Sequence, residues 1–314
     1  MFKPIRIVKK VPNVDFFRFH KLCFALSAFM CIASVVSLAT LGLNFGVDFA
    51  GGILIEARTP AAADLADMRT RINNLDLGDV ALQEFGSNRD VLIRIERQGA
   101  GEKEEMAAVA KVRDALGAGV EYRRVEVVGP KVGAELIRGG ILAVTLSLAG
   151  IMAYMAVRFG WRAGLSGVIA ILHDCLTTVG FFSITQAQFD LNVLAAVVTI
   201  AGFSINDTVV IDDRIRENLR KYKSMDFRDL INRSVNETMA RTVVTNGLVF
   251  LAVVSLLILG GPVLFGFSMA MTWGVVLGTY STIYVAAPLE WYLAGRGSHH
   301  RHPPGDEAPA AATP

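Results

Sequence analysis

From Thr242 to Leu289 the chain carries no aspartate, glutamate, lysine, arginine or histidine. That run is more than twice the roughly 20 residues one helix needs to cross a bilayer. Gly260-Gly261-Pro262 interrupts it. Glycine permits unusual dihedrals and proline removes a helix donor, so two spans joined by a tight turn are expected there. Leu22 to Val47 and Gly139 to Val157 are also uncharged. A third run, about Gly164 to Phe189, is broken only by His173-Asp174, and a fourth, from Leu191 to Ile211, carries Asp207. The pattern is that of an α-helical polytopic membrane protein with six transmembrane helices.

Composition excludes the common alternatives. With 53% hydrophobic and 19% charged residues, the chain is not an ordinary soluble domain. A net charge of +2 gives no nucleic-acid surface. The first apolar run exceeds the 7 to 15 residues, roughly, of a signal-peptide core, so it reads as an uncleaved anchor. Cys23, Cys31 and Cys175 all fall in spans without a companion ligand set, which points to neither metal nor redox chemistry. No Gly-x-x-x-x-Gly-Lys-Ser/Thr loop is present, so nucleotide does not drive the protein, and no enzyme activity is expected.

Basic residues set the expected orientation. The N-terminus, the Arg158 to Arg162 turn, the Arg214 to Arg241 loop and the Arg296 to Arg301 tail fall on one side of a six-span protein. By the positive-inside rule that side is cytoplasmic, with both termini inside. The domains follow: a cytoplasmic segment 1–21, transmembrane helix 1 over 22–47, an extracytoplasmic domain 51–129, transmembrane helices 2–6 over 134–294, and a tail 295–314. The tail is rich in His, Pro and Ala and is expected to be disordered. Ser224 to Ala240 places Phe227, Leu230, Ile231 and Val235 on one face and predicts an amphipathic helix on the membrane surface.

Within 51–129, Ile53 to Arg58 alternates like a strand and Ala61 to Leu75 has helical spacing at Leu65, Met68 and Ile72. Val80 to Phe85 and Val91 to Ile95 read as strands around the turn signal Gly86-Ser87-Asn88. Gly101 to Leu116 is a helix with Met106, Val109, Val112 and Leu116 on one side, and Val120 to Val128 is a last strand. The order β-α-β-β-α-β is that of an α+β ferredoxin-like domain between helices 1 and 2.

Asp207 is the sharpest functional signal. A charged carboxylate at such depth costs about 2.5 to 3.5 kcal/mol and marks an ion or substrate path by default. Arg241, at the head of the next span, is its expected partner, and small rearrangements between them would switch the protonation of the acid. Asn206 and Thr208 flank the acid, and together with His173, Asp174 and Asp213 they are the candidate relay or supporting groups. His173-Asp174 lies roughly nine to ten residues into its span, near mid-bilayer, and can form a relay. Asp213 marks the cytoplasmic boundary. Asp48 with Gly51-Gly52 reads as a boundary turn, and Gly129, Pro130 and Gly133 as a hinge between the soluble domain and the membrane.

Four stretches occur in order: Phe45-Gly46-Val47-Asp48-Phe49-Ala50-Gly51-Gly52; Val128-Gly129-Pro130-Lys131-Val132-Gly133-Ala134-Glu135-Leu136; Ser204-Ile205-Asn206-Asp207-Thr208-Val209-Val210 with Asp213-Arg214-Ile215-Arg216-Glu217-Asn218; and Ala240-Arg241-Thr242. The ordered set resembles the SecF branch of the SecD/SecF family, protein-export membrane subunits of the resistance-nodulation-division superfamily. The resemblance implies a bacterial inner-membrane protein that works with SecD and the Sec channel. It also implies use of the proton-motive force to promote export of unfolded polypeptide, with protons as coupling ion and no other cofactor. On it, the acid matching Asp207 and the base matching Arg241 take part in proton flow. Asp212 stands where relatives usually carry an uncharged residue, and Thr245-Asn246-Gly247-Leu248 is less hydroxyl-rich than usual. Two other readings remain open here: a proton-coupled exporter of lipid or small solutes, and a non-conducting structural subunit. An intramembrane aspartyl protease using Asp174 and Asp207 lacks the expected Gly-x-Gly-Asp element.

The topology is open to cysteine labelling in intact cells. An impermeant reagent should reach cysteines placed near Gln188 and Gly261 and spare one near Lys221. Labelling at Lys221 would overturn it.

Overall fold

The computed structural model describes residues 13–78, 80–85, 87–96, 102–128 and 130–295. In chain order, a 3-10 turn (Phe16–Phe19) leads into α1 (His20–Thr40), followed by the short α2 (Val47–Ala50). The soluble domain comprises β1 (Gly52–Arg58), α3 (Leu65–Asn73), β2 (Val80–Phe85), β3 (Ser87–Ile95), α4 (Glu102–Leu116) and β4 (Glu121–Val128). Then come α5 (Pro130–Phe159), α6 (Trp161–Thr185), α7 (Leu191–Lys221), α8 (Phe227–Leu259) and α9 (Gly261–Ser281). A π-helical turn (Thr282–Ala286) joins α9 to α10 (Ala287–Ala294). Six of these helical stretches are long and apolar enough to cross a membrane.

The sheet runs β2-β3-β1-β4 with every neighbouring pair antiparallel. Alternation along β1 turns Ile53, Ile55 and Ala57 to one face, where they sit opposite Ile95, Ile93 and Val91 of β3. Met68 and Ile72 of α3 and Val109, Val112 and Leu116 of α4 close the same core. The expected helical face of α4 is corrected at Met106, which is exposed, while Ala108 is buried in its place. The strand after the β2 turn begins at Ser87 rather than Val91, because Asp90 pairs across to Arg58 and extends the ladder. The lone residue between β4 and α5 is Gly129, which lies outside the described residues together with the whole 296–314 tail and the basic 1–12 segment. Pro130 and Gly133 belong to the first turns of α5.

Of the membrane helices, α1 is built inside out relative to a helix of a soluble bundle. In α1 the buried residues are Ser27, Ser34 and Ser37, while Leu22, Phe29, Ile32 and Val36 are exposed. Small residues let helix backbones approach where lipid supplies no hydrophobic drive. A Cβ on Gly180 of α6 would stand 2.1 Å from the Ser34 Oγ, so only glycine fits there. The Ser37 and Ser183 hydroxyls bond at 2.7 Å across the same seam. α1 ends at Thr40, short of the uncharged run that reaches Val47, because Gly42 turns the chain at a φ of 69°. Phe45 then bridges to Phe189 and binds the α6–α7 turn to the end of α1. Asp48 in α2 accepts from the Leu191 backbone N–H at 2.9 Å, so this acid caps α7. Gly51 and Gly52, at φ 75° and 116°, make the bend into β1 that L side chains resist.

The amphipathic stretch is corrected in kind. Ser224 to Ala240 is no separate surface helix: α8 runs unbroken from Phe227 to Leu259. Its Leu230, Ile231 and Val235 pack on Phe16, Phe17, Ile283 and Ala287 rather than on lipid. Asn232 and Asn236, one turn apart, receive backbone N–H bonds from Phe16 and Val14, both at 2.9 Å, and donate to the Val14 carbonyl.

In the soluble domain, Asp90 accepts from Arg58 Nε and Nη2 at 2.8 and 3.0 Å and from the Ser87 hydroxyl at 2.7 Å. The Arg58 guanidinium, with help from Ser87, holds this carboxyl below its ordinary value. An acid depressed by folding stabilises above its unfolded pKa of about 4 and loses that contribution as pH falls through the folded value. The domain should therefore unfold more readily below about pH 4. Asp90→Asn should flatten that acid limb and lower the neutral-pH midpoint, both read by hydrogen exchange of the β3 amides against pH. An unchanged acid limb would reduce the pair to a surface contact.

Candidate functional site

Two of the expected carboxylates lie deep within the helical bundle. Asp174 on α6 is fully buried and Asp207 on α7 is 4% exposed. Neither forms an ion pair with lysine or arginine among the described residues; an imidazole, two hydroxyls and an amide contact them.

Asp174 is the more completely enclosed. Its Oδ1 lies 3.0 Å from His173 Nδ1. Its Oδ2 accepts from Ser204 Oγ of α7 and from Ser281 Oγ at the end of α9, each at 2.7 Å. Nε2 of His173 is buried without a hydrogen-bond partner, and its ring lies 6.3 Å from that of Tyr280.

Asp207 sits one turn after Ser204 on the same helix. Its Oδ2 accepts from Asn246 Nδ2 of α8 at 2.5 Å, and the same amide donates to Thr279 Oγ1 of α9 at 2.7 Å. Thr208 turns the other way, with its hydroxyl 3.5 Å from that of Thr282. Thr282 opens the π-helical turn. Pro288 gives a reason for that turn: it has no N–H for the Tyr284 carbonyl, and its ring crowds that oxygen. Single π turns of this kind recur at functional positions because they widen the helix and re-aim side chains. α6, α7, α8 and α9 thus meet around a file of carboxylate, hydroxyl and amide groups.

The expected site residues fall into two groups. His173, Asp174, Asp207 and Thr208 face the interior. Asn206 is exposed, on the opposite side of α7 from the network. Arg241 is also exposed and makes no ion pair with Asp207, although it is close enough for its charge to act on that carboxylate. The contact expected for Arg241 is taken by Asn246, five residues further along α8. Asp213 is exposed and faces Arg158 at 3.3 Å, away from the interior.

Its neighbour Asp212 points inward instead, 6% exposed, with Oδ2 unpartnered. It interacts electrostatically with Glu290 of α10, whose Oε2 is also buried and unpartnered and which feels the charge of Arg162. Ser204, Asn246, Thr279, Ser281, Asp212 and Glu290 were not singled out as site residues from the sequence. One signal existed: Ser204, Thr208 and Asp212 recur every four residues and so stack on one face of α7.

The comparisons with known proteins follow the same layout. The family described as protein export membrane protein SecD/SecF, C-terminal, matches residues 108–296, and the SecD/SecF GG motif matches residues 36–59. The chain is 44% identical over 298 residues to a protein translocase subunit SecF of Cereibacter sphaeroides, covering 92% of each. It is 40% identical over 308 residues to that of Vibrio alginolyticus, covering 98% of each. Among solved structures it resembles SecDF of Thermus thermophilus, a translocon-associated membrane protein, with a TM-score of 0.81 at 29% identity. It resembles SecDF in a super-membrane-facing form with a TM-score of 0.70 at 28% identity. The chain spans about 40% of each of those two solved chains and more than nine-tenths of its own length is covered. With its membrane helices, its GG bend and its relatives all in agreement, the chain belongs to the SecD/SecF family of protein export membrane proteins, among the SecF subunits.

Proposed function

We propose that this chain is the SecF-type half of a proton-driven export motor, completed by a SecD-type subunit and working beside the Sec channel on unfolded polypeptide. It is a transport subunit rather than an enzyme. The proposed location is the bacterial inner membrane, with both termini cytoplasmic and the ferredoxin-like domain outside. Completion by SecD is supported by the solved SecDF chains, in which a chain of this length accounts for about two-fifths.

The observation that carries the proton role is that Asp207 and Asp174 are ionisable groups buried in the bundle with no lysine or arginine ion pair among the described residues. Their amide and hydroxyl partners can accommodate a change of charge by small rotations. In this reading Arg241, poised at the edge, approaches Asp207 in one phase of the cycle and favours the ionised acid. His173 and Asp174 pass the proton along, and the π-helical turn is where α9 yields. The Gly129-Pro130-Gly133 connection transmits the change to the soluble domain, which handles the emerging chain. A structural subunit would need no titrating group at either position. A lipid or small-solute exporter would leave the soluble domain without a polypeptide to hold.

Two substitutions test this. Asp207→Asn cannot titrate, so in inverted vesicles it should abolish the pH-gradient-dependent stimulation of export while leaving membrane insertion and association with the SecD-type subunit intact. Asp207→Glu should retain part of the stimulation. Normal gradient-dependent export by Asp207→Asn would leave only a helix-packing role.

Asn246→Leu removes the donor to Asp207 and a contact between α8 and α9. An interhelical polar contact in a membrane is worth about 0.6 kcal/mol, so the protein should remain folded. The pH dependence of export should shift relative to the native protein, measured across a pH series at fixed gradient. An unshifted profile would remove Asn246 from the site.

A further inference from the structure

Two cavities adjoin at the end of the bundle where α5 stops. The first, about 630 Å³, is lined by Arg158, Asp213, Arg216, Glu217, Arg220 and Lys221. The second, about 580 Å³, is lined by Ala153, Tyr154 and Val157 together with the same Arg158 and Arg216. One is basic, the other apolar, and two arginines stand between them. We infer that this pair of cavities is a binding site for one anionic phospholipid, with its phosphate in the basic pocket and an acyl chain along the α5 groove.

The charges support an anion. Glu217 is engaged by Arg214 at 2.5 Å, and Arg214 is itself held at 2.7 Å by Glu237. The basic pocket thus carries four cations, Arg158, Arg216, Arg220 and Lys221, against Asp213, 3.3 Å from Arg158, and Glu217, which leaves an excess of positive charge. Arg216 donates a single bond, Nη1 to the Arg158 carbonyl at 3.0 Å, which fixes the guanidinium at the rim and leaves its other donors free. Arg220 makes no ion pair among the described residues. Guanidinium forks suit phosphate oxygens.

The groove supports a lipid rather than a free anion. Val157 is 90% exposed and Tyr154 54%, on a helix whose other outward residues include Leu142, Leu146 and Met152. Apolar side chains so placed on a membrane helix face acyl chains. The level is also right: exposed Trp161 lies just past the end of α5, and aromatic residues gather at the headgroup boundary. Basic pockets between membrane helices at that boundary recognise acidic headgroups.

The test uses the full chain in phosphatidylcholine nanodiscs doped with phosphatidylglycerol, with retained lipid read by native mass spectrometry. Arg216→Gln with Arg220→Gln should lower phosphatidylglycerol retention about 25-fold, about five-fold per cation removed. Arg216→Lys with Arg220→Lys keeps both charges and should retain most of the lipid, which separates charge from folding. Val157→Gln should weaken retention with every cation in place. Inorganic phosphate should fail to displace the lipid, since it brings no chain. Four outcomes would overturn the inference. They are unchanged retention in the glutamine pair, an equal loss in an Arg18→Gln, Lys21→Gln control, displacement by inorganic phosphate, or loss of a co-expressed SecD-type subunit in place of lipid.

Discussion

A carboxylate sunk among helices in an apolar medium has to draw its hydrogen bonds from those helices, since no water is there to supply them. Asp174 does so from His173 beside it, Ser204 on α7 and Ser281 on α9. Three helices are therefore held in one arrangement by one side chain. The hydroxyls must point at this acid, which places Asp207 and Thr208, three and four residues beyond Ser204, against α8 and the π-helical turn. The geometry of the second acid follows from the first.

That arrangement also says where the molecule can move. The interhelical contacts around the acids are hydroxyl and amide bonds, each weak in a membrane, and the hydroxyls can either donate or accept. The apolar packing that surrounds them, such as Ile200 against Ala270, Met271 and Val275, constrains the helices laterally. α8 contributes few buried residues in its apolar half and many exposed ones. It carries both Asn246, which bonds Asp207, and the exposed Arg241.

At the opposite end the polar file continues from Thr208 and Thr282 to Asp212 and Glu290. Two buried acids that act on each other, with Arg162 as the nearby cation, resemble the inner site in lacking a direct ion pair. Glu290 interacts with Asp212 from α10.

The sequence alone determined the membrane class, the spans, the β-α-β-β-α-β domain and the family. Each rests on local chemistry: uncharged runs too long to be soluble, alternation of Ile53 and Ile55, the Gly-Gly-Pro break, and the order of four motifs. It also singled out Asp207 and His173-Asp174 as candidates, because an ionisable residue in an apolar run needs no neighbours to be recognised. Only the tertiary structure decided which groups meet those acids. Serine, threonine and asparagine are common and unremarkable in a membrane helix, so Ser204, Ser281 and Asn246 gain meaning from the helices facing them. Helical phase decided the rest: a rotation of about 100° per residue puts Asp212 inside and Asp213 outside, and sends Asn206 away from the site that Asp207 enters.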